Sequence, residues 1–159
     1  MDKPMIVKMT NEGQFKISEE TLIRMNQYKQ DNHKSLEAGG VLLGRFIKGS
    51  KNIIVDGITV PMIGDKRGRT YFIREEKMHQ LVINNVWEKS AGTCNYLGEW
   101  HTHPESYPTP SDQDIKNWKK ILSTRTFSSL YLYFIIVGTK RVGVWEGNRR
   151  TGKIKRLYS

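Results

Sequence analysis

The chain has 159 residues, a formal net charge of +10, and 37% hydrophobic against 26% charged residues. These values exclude a disordered chain, and the longest apolar run, 131–137, is far shorter than a bilayer span needs. They suit one compact domain over residues 1–159, and the lone cysteine, Cys94, excludes an intramolecular disulfide and fits a reducing, cytoplasmic setting.

In chain order, short strands are expected at 5–9 and 15–17, separated by the turn Asn11-Glu12-Gly13. No signal peptide is expected ahead of them, since Lys8 follows only a few apolar residues. Ser18 offers an N-cap, and Leu22, Ile23 and Met25 supply the apolar face of a helix reaching about Lys29. A strand opens at Gly39-Gly40-Val41-Leu42-Leu43-Gly44 and runs to about Ile47. The turn Lys48-Gly49-Ser50 returns it as a second strand over 53–60. Another short strand covers 70–73. Met78, Leu81, Val82, Asn85 and Val86 recur at helical spacing and predict a helix over 75–89. Residues 96–103 read as a strand, Pro104, Pro108 and Pro110 enforce a loop, and Ser111 starts a helix to about Leu122. Strands at 131–137 and 141–146 form a second hairpin around Gly138-Thr139. The expected fold is α/β, a curved mixed β-sheet flanked by about three helices.

The positive charge concentrates at Lys66-Arg67-Gly68-Arg69 and from Arg149-Arg150 through Lys153, Lys155 and Arg156. It favours an anionic partner, either nucleic acid or an acidic protein face. A solvated basic surface explains both stretches equally well.

Chemistry concentrates in Gly98-Glu99-Trp100-His101-Thr102-His103-Pro104-Glu105, followed by Ser111 and Asp114. Side chains alternate along a strand, so His101 and His103 share a face with Cα atoms roughly 7 Å apart, close enough to converge on one ion. Asp114, one turn into the next helix, offers a third ligand, and two histidines with a carboxylate suit a catalytic zinc with one open position. A bare His-x-His is more often a chance pair, and Ser111 with Asp114 also reads as a helix-capping pair. The full spacing, His-x-His-x7-Ser-x2-Asp, arises by chance in roughly one chain of this length in several thousand.

That spacing is the JAMM motif, and the chain resembles the JAB/MPN metalloproteases from about Glu37 to Val144. Glu37-Ala38-Gly39-Gly40-Val41-Leu42-Leu43-Gly44-Arg45 resembles the family's upstream glutamate and glycine-rich strand. The resemblance implies a cytidine-deaminase-like fold, zinc held by His101, His103 and Asp114, Glu37 as general base, and Ser111 steadying the tetrahedral intermediate. Known members cleave after the C-terminal glycine of ubiquitin or ubiquitin-like proteins. Gly-Glu-Trp-His-Thr-His-Pro-Glu looks most like the bacterial branch, in particular the small deconjugating peptidases of CBASS antiphage operons. By that likeness the substrate is a conjugated ubiquitin-like or cGAS-like C-terminal tail, with E1/E2-like proteins as operon partners.

On the residues alone, Glu37 is equally a solvated loop acid, and Glu99, Glu105 and Asp112 are rival bases. Glu99 shares the face of His101 and is expected beside it as a supporting partner. Asp112 suits the helix dipole. His33 and His79 fit no ligand spacing and are expected as surface or satisfied core residues. The hairpin over 47–54 and the segment 66–70 are expected walls for a substrate tail. Two other readings stay open: a basic, nucleic-acid-associated protein like the JAMM-like bacterial repair-associated proteins, and a metal-free MPN scaffold.

Overall fold

The N-terminal strands β1 (Met5–Lys8) and β2 (Gln14–Ile17) form an antiparallel hairpin. They belong to a computed structural model that describes residues 3–124 and 129–158. Ser18 then caps α1 (Glu19–Asn26), its oxygen accepting the Thr21 N–H. The helix stops short of Lys29, and the Tyr28 ring lies 6.0 Å from that of Trp100. The glycine-rich segment becomes β3 (Gly39–Phe46), paired antiparallel with β4 (Ile53–Ile58) as expected. The expected strand at 70–73 is instead half of a small separate hairpin, β5 (Lys66–Arg67) with β6 (Phe72–Ile73). Glu75 caps α2 (Glu76–Lys89), and β7 (Asn95–Thr102) carries the His-x-His pair. Ser111 caps α3 (Asp112–Leu122), and β8 (Tyr131–Val137) and β9 (Val142–Asn148) form the second hairpin.

One strand was not expected. The basic tail supplies β10 (Ile154–Leu157), antiparallel to β9 at the sheet edge. Its Ile154 and Leu157 pack inward while Lys155 stays exposed, so Lys153, Lys155 and Arg156 masked a strand pattern. Charged side chains on an edge strand also discourage pairing with other chains.

Eight strands form one sheet in the order β1-β2-β4-β3-β7-β8-β9-β10. The pairs β2/β4 and β7/β8 are parallel and the rest antiparallel, so the sheet is mixed, with three helices against it. One face packs with α1, burying Phe15, Met25, Leu42 and Trp100. The other packs under α2 and α3, burying Val41, Trp118, Phe134 and Trp145. β8 is covered on both faces, which is why it reads as a continuous apolar run rather than an alternating one. Among the described residues no helix is long and apolar enough to cross a membrane.

A bulge in β7 decides how its side chains point. The β3–β7 register shifts between Leu42 and Leu43, opposite Gly98. Gly98 has φ 146°, and a Cβ there would sit 1.7 Å from the Tyr133 carbonyl oxygen. The extra residue lets Leu97 and Trp100, three apart, share the α1 face. Beyond it the alternation resumes with Trp100 against α1 and His101 beside Trp118 of α3.

His79 is the satisfied core residue expected as one option, while His33 is exposed. The His79 Nδ1 lies 2.6 Å from Thr59 Oγ1 and its Nε2 2.9 Å from Asp65 Oδ2. The Asp65 carboxylate also accepts the Met62 and Glu75 N–H groups, tying the loop after β4 to the start of α2. Although this trio resembles a nucleophilic triad in composition, His79 is 0% and Thr59 2% exposed, which leaves no access for substrate. It holds the fold together.

Candidate metal centre

Four side chains from three elements meet at the end of β7. His101 and His103 project together, their Nε2 atoms 3.1 Å apart. The α3 N-terminus brings Asp114 between them, with Oδ1 3.3 Å from His101 Nε2 and Oδ2 3.0 Å from His103 Nε2. Glu37, just before β3, places a carboxylate oxygen within 4.8 Å of a ring nitrogen of each histidine. Its residue is 5% exposed, against 9% for His101 and 8% for His103.

Local structure explains each placement. Asp114 and Trp118 lie four residues apart on one face of α3. Trp118 is buried against Phe134 (ring centroids 4.7 Å) and lies 6.2 Å from the His101 ring, so the same turn that anchors α3 aims Asp114. Ser111 and Asp114 also make the capping box: Ser111 Oγ accepts the Asp114 N–H at 3.0 Å, and Asp114 Oδ2 accepts the Ser111 N–H at 2.9 Å. The capping reading of these residues is therefore observed, and the same turn sets the Asp114 carboxylate beside both histidines. Gly39 opens β3 because a Cβ there would meet the Trp100 carbonyl oxygen at 2.6 Å and the Phe72 ring at 2.8 Å. That close approach brings Glu37 up to the histidines.

The rival acids have other tasks. Glu105 Oε1 lies 2.7 Å from His103 Nδ1, so it orients that ring and leaves Nε2 pointing into the site. Glu99 was expected to support His101, but its carboxylate is taken by Arg74, in two contacts of 3.0 and 2.8 Å, and by the Tyr96 hydroxyl at 2.8 Å. It lines the same groove without touching the histidine. Asp112 stands in the first turn of α3, exposed, as its helix-dipole role requires.

Electrostatics favour a cation here. Burial opposes charge on Asp114, yet hydrogen bonds from His101 and His103 hold its carboxyl far below the usual carboxylate range. Burial likewise lowers His103, but Asp114 and Glu105 together raise it above the ordinary histidine value. For Glu37, burial pushes the carboxyl up to about 7, with His103 pulling it down and Asp114 pushing it up. A tetrahedral zinc with bonds of about 2.0–2.1 Å spaces its ligand atoms about 3.3–3.4 Å apart. The 3.1 Å between the two Nε2 atoms lies close to that, and the Asp114 carboxylate reaches both rings, Oδ1 at 3.3 Å and Oδ2 at 3.0 Å, so the donor set suits the ion.

A groove of about 1090 Å³ runs from this centre between α2 and α3. Its walls include Trp87, Asn84, Trp118 and Ile121, and Phe72, Ile73 and Arg74 form a rim. Neither expected wall, 47–54 or 66–70, borders it; α2, which precedes β7, and α3, which leads from β7 to β8, supply walls instead. The basic stretches are partly committed as well. Arg67 turns inward to the Glu37 carbonyl, Arg149 donates to the Ser129 and Thr124 carbonyls, and Arg156 stacks over the Trp145 and Tyr158 rings.

Replacing Ser111 by Ala removes the capping oxygen and is expected to lower stability by about 1 kcal/mol. If its hydroxyl also serves the reaction, turnover falls in the same variant; thermal melts alongside rate assays separate the two effects.

The architecture matches a solution structure of a protein from Desulfitobacterium hafniense, with TM-score 0.60 and 16% identity, covering 88% of this chain and 87% of that one. A protein from Salinibacter ruber matches with TM-score 0.52 at 14% identity, covering 88% of this chain and 86% of that one. Among characterised relatives, a protein of Escherichia coli named CD-NTase/cGAS isopeptidase is 37% identical over 142 residues, 89% of this chain and 85% of its own length. A protein of the same name from Vibrio cholerae is 37% identical over 126 residues, 79% of this chain and 76% of its own. Residues 19–150 match the family described as prokaryotic homologs of the JAB domain, which takes in Glu37, both histidines and the Ser111–Asp114 turn. The chain belongs to that family.

Proposed function

We propose that this protein is a zinc-dependent isopeptidase that cleaves behind the C-terminal tail of a ubiquitin-like or cGAS-like protein and so reverses its conjugation, in the cytoplasm and in antiphage defence. The observation that carries the reading is the convergence of His101, His103 and Asp114 at 3.0–3.3 Å beside a buried glutamate, at the end of an open groove. The name shared by the Escherichia coli and Vibrio cholerae relatives supports the choice of substrate. Every motif position holds a competent residue, which speaks against a metal-free scaffold.

In this scheme His101, His103 and Asp114 hold the ion, and Glu37 stays free of it. When bound, zinc supplies a water acidified toward neutral pH and an electrophile for the scissile carbonyl. Glu37 accepts the proton of the attacking water and returns it to the departing amine. Its elevated affinity for protons suits that exchange near pH 7. Ser111 accepts the Asp114 N–H through its oxygen, so its own O–H remains a donor for the developing oxyanion. Glu105 keeps the His103 ring in register. The groove lined by Trp87 and Ile73 holds an extended tail, with Asn84 and Arg74 offering polar contacts.

The test is a gel assay with two substrates. A fluorescent protein fused behind the C-terminal tail of the cGAS-like or ubiquitin-like partner from the same operon is expected to be cut at the junction, and casein left intact. Casein cleavage at a comparable rate, with the junction untouched, would reduce the protein to a general metalloprotease. Salt-sensitive DNA binding at physiological ionic strength, with no cleavage of the fusion in the absence of DNA, would instead favour the nucleic-acid-associated reading.

A further inference from the structure

The stretch Lys66-Arg67-Gly68-Arg69 reads in the sequence as a basic surface, yet Arg67 and Gly68 both bond the backbone of Glu37. Arg67 Nε donates to the Glu37 carbonyl at 2.9 Å, with a longer contact of 3.5 Å from Nη2 to the Leu36 carbonyl. The Glu37 N–H donates to the Gly68 carbonyl at 2.7 Å. Both polar backbone groups of Glu37 are therefore engaged by two consecutive residues of the β5–β6 hairpin. This matters because Glu37 lies ahead of the first registered pair of the β3–β7 ladder, Gly39 with His101. The sheet does not hold it.

The neighbouring residue is tied to the opposite side. The Ala38 N–H donates to Thr102 Oγ1 at 2.9 Å, and the Ala38 carbonyl accepts the Thr102 N–H at 2.9 Å. Thr102 stands between the two histidines, so Ala38 is registered directly on the strand that presents them. The Thr102 hydroxyl donates to Gln30 Oε1 at 2.8 Å, and Gln30 Nε2 donates to the Arg69 carbonyl at 2.9 Å. The chain of contacts thus runs from Arg69 of the same hairpin through Gln30 and Thr102 to Ala38, the neighbour of Glu37. Thr102 and Gln30 are buried, at 0% and 3% exposure, which keeps water from loosening these bonds.

We propose that Arg67 is a positioning residue for the reaction: its guanidinium fixes the Glu37 backbone and thereby the distance from the Glu37 carboxylate to the two histidines. The proposal rests on Glu37 being the general base. The planar fork of arginine suits the paired carbonyls of Leu36 and Glu37, whereas lysine offers a point charge that satisfies one. Misplacing a reacting group by about 1 Å costs on the order of a hundredfold in rate. A docking role for the same cation would instead change substrate affinity and its dependence on salt.

The experiment uses the full chain loaded with zinc and the tail fusion described above. Arg67→Ala is expected to lower kcat by about ten- to a hundredfold, while KM and bound zinc stay as in the parent. Arg67→Lys should recover part of the loss. Placed on Glu37→Gln, the Arg67→Ala change should cost nothing further, since residues acting through one another are not additive. Independently of activity, amide hydrogen exchange in the metal-free protein should quicken at Glu37 and Ala38 in Arg67→Ala and stay unchanged at core strands such as β8. A raised, salt-dependent KM with unchanged kcat would overturn the proposal and make Arg67 a docking residue. So would equal losses in the two backgrounds, or unaltered exchange at Glu37 and Ala38. If Glu37→Gln itself turns over at the native rate, the base assignment is what has failed, and the double variant identifies that outcome separately.

Discussion

A His103→Ala variant is expected to purify without stoichiometric zinc and to bind added zinc more than about a hundredfold more weakly than the parent, since losing only a supporting partner already costs 10- to 100-fold. His103 is central because its Nε2 faces both His101 and Asp114, at 3.1 and 3.0 Å, while its Nδ1 is held by Glu105. Removing the ring leaves Asp114 and His101 as two ligands on separate elements, too few for a tight site. Stability should follow: a hundredfold loss of affinity removes about 2.7 kcal/mol of ligand-linked stabilisation when free zinc is abundant. Metal analysis and chelator competition read the affinity, and melting with and without chelator reads the linkage. The chelator should lower the parent's melting temperature and leave the variant's unchanged. Full zinc occupancy in a His101→Ala, His103→Ala double variant would overturn the ligand assignment.

Glu37→Gln is the second large effect. The amide keeps the size of the side chain and its buried position, but it cannot take a proton from water, so hydrolysis should fall by about 10²- to 10⁴-fold. Zinc should remain at the parent level, because the proposed ligands His101, His103 and Asp114 are untouched. That pairing of lost turnover with retained metal distinguishes a base from a ligand. Near-native turnover would pass the role to Glu99 or Glu105. Both are poorly placed for it, since Glu99 is clasped by Arg74 and Tyr96 and Glu105 by His103.

How far the sequence alone determined this protein differs between the motif and its supports. The spacing of His101, His103, Ser111 and Asp114 was legible because it depends on local geometry: two-residue alternation in a strand, a proline-enforced loop and a helix N-terminus that Ser111 caps. The main elements were legible for the same reason, β8 from its apolar run and α2 from its helical spacing. Tertiary structure decided the rest. No local rule connects Glu37 with residues more than sixty positions away; the antiparallel register that sets Gly39 opposite His101 does so. The bulge at Gly98 separates Leu97 from the histidine face, a correction to strict alternation that depends on the Tyr133 carbonyl of the neighbouring strand. Composition marked Lys66 to Arg69 and the C-terminal tail as charged surface, yet Arg67 secures the Glu37 backbone and the tail forms β10. A side chain's charge is written in the sequence, but the partner that satisfies it is chosen by what the fold brings within hydrogen-bonding distance.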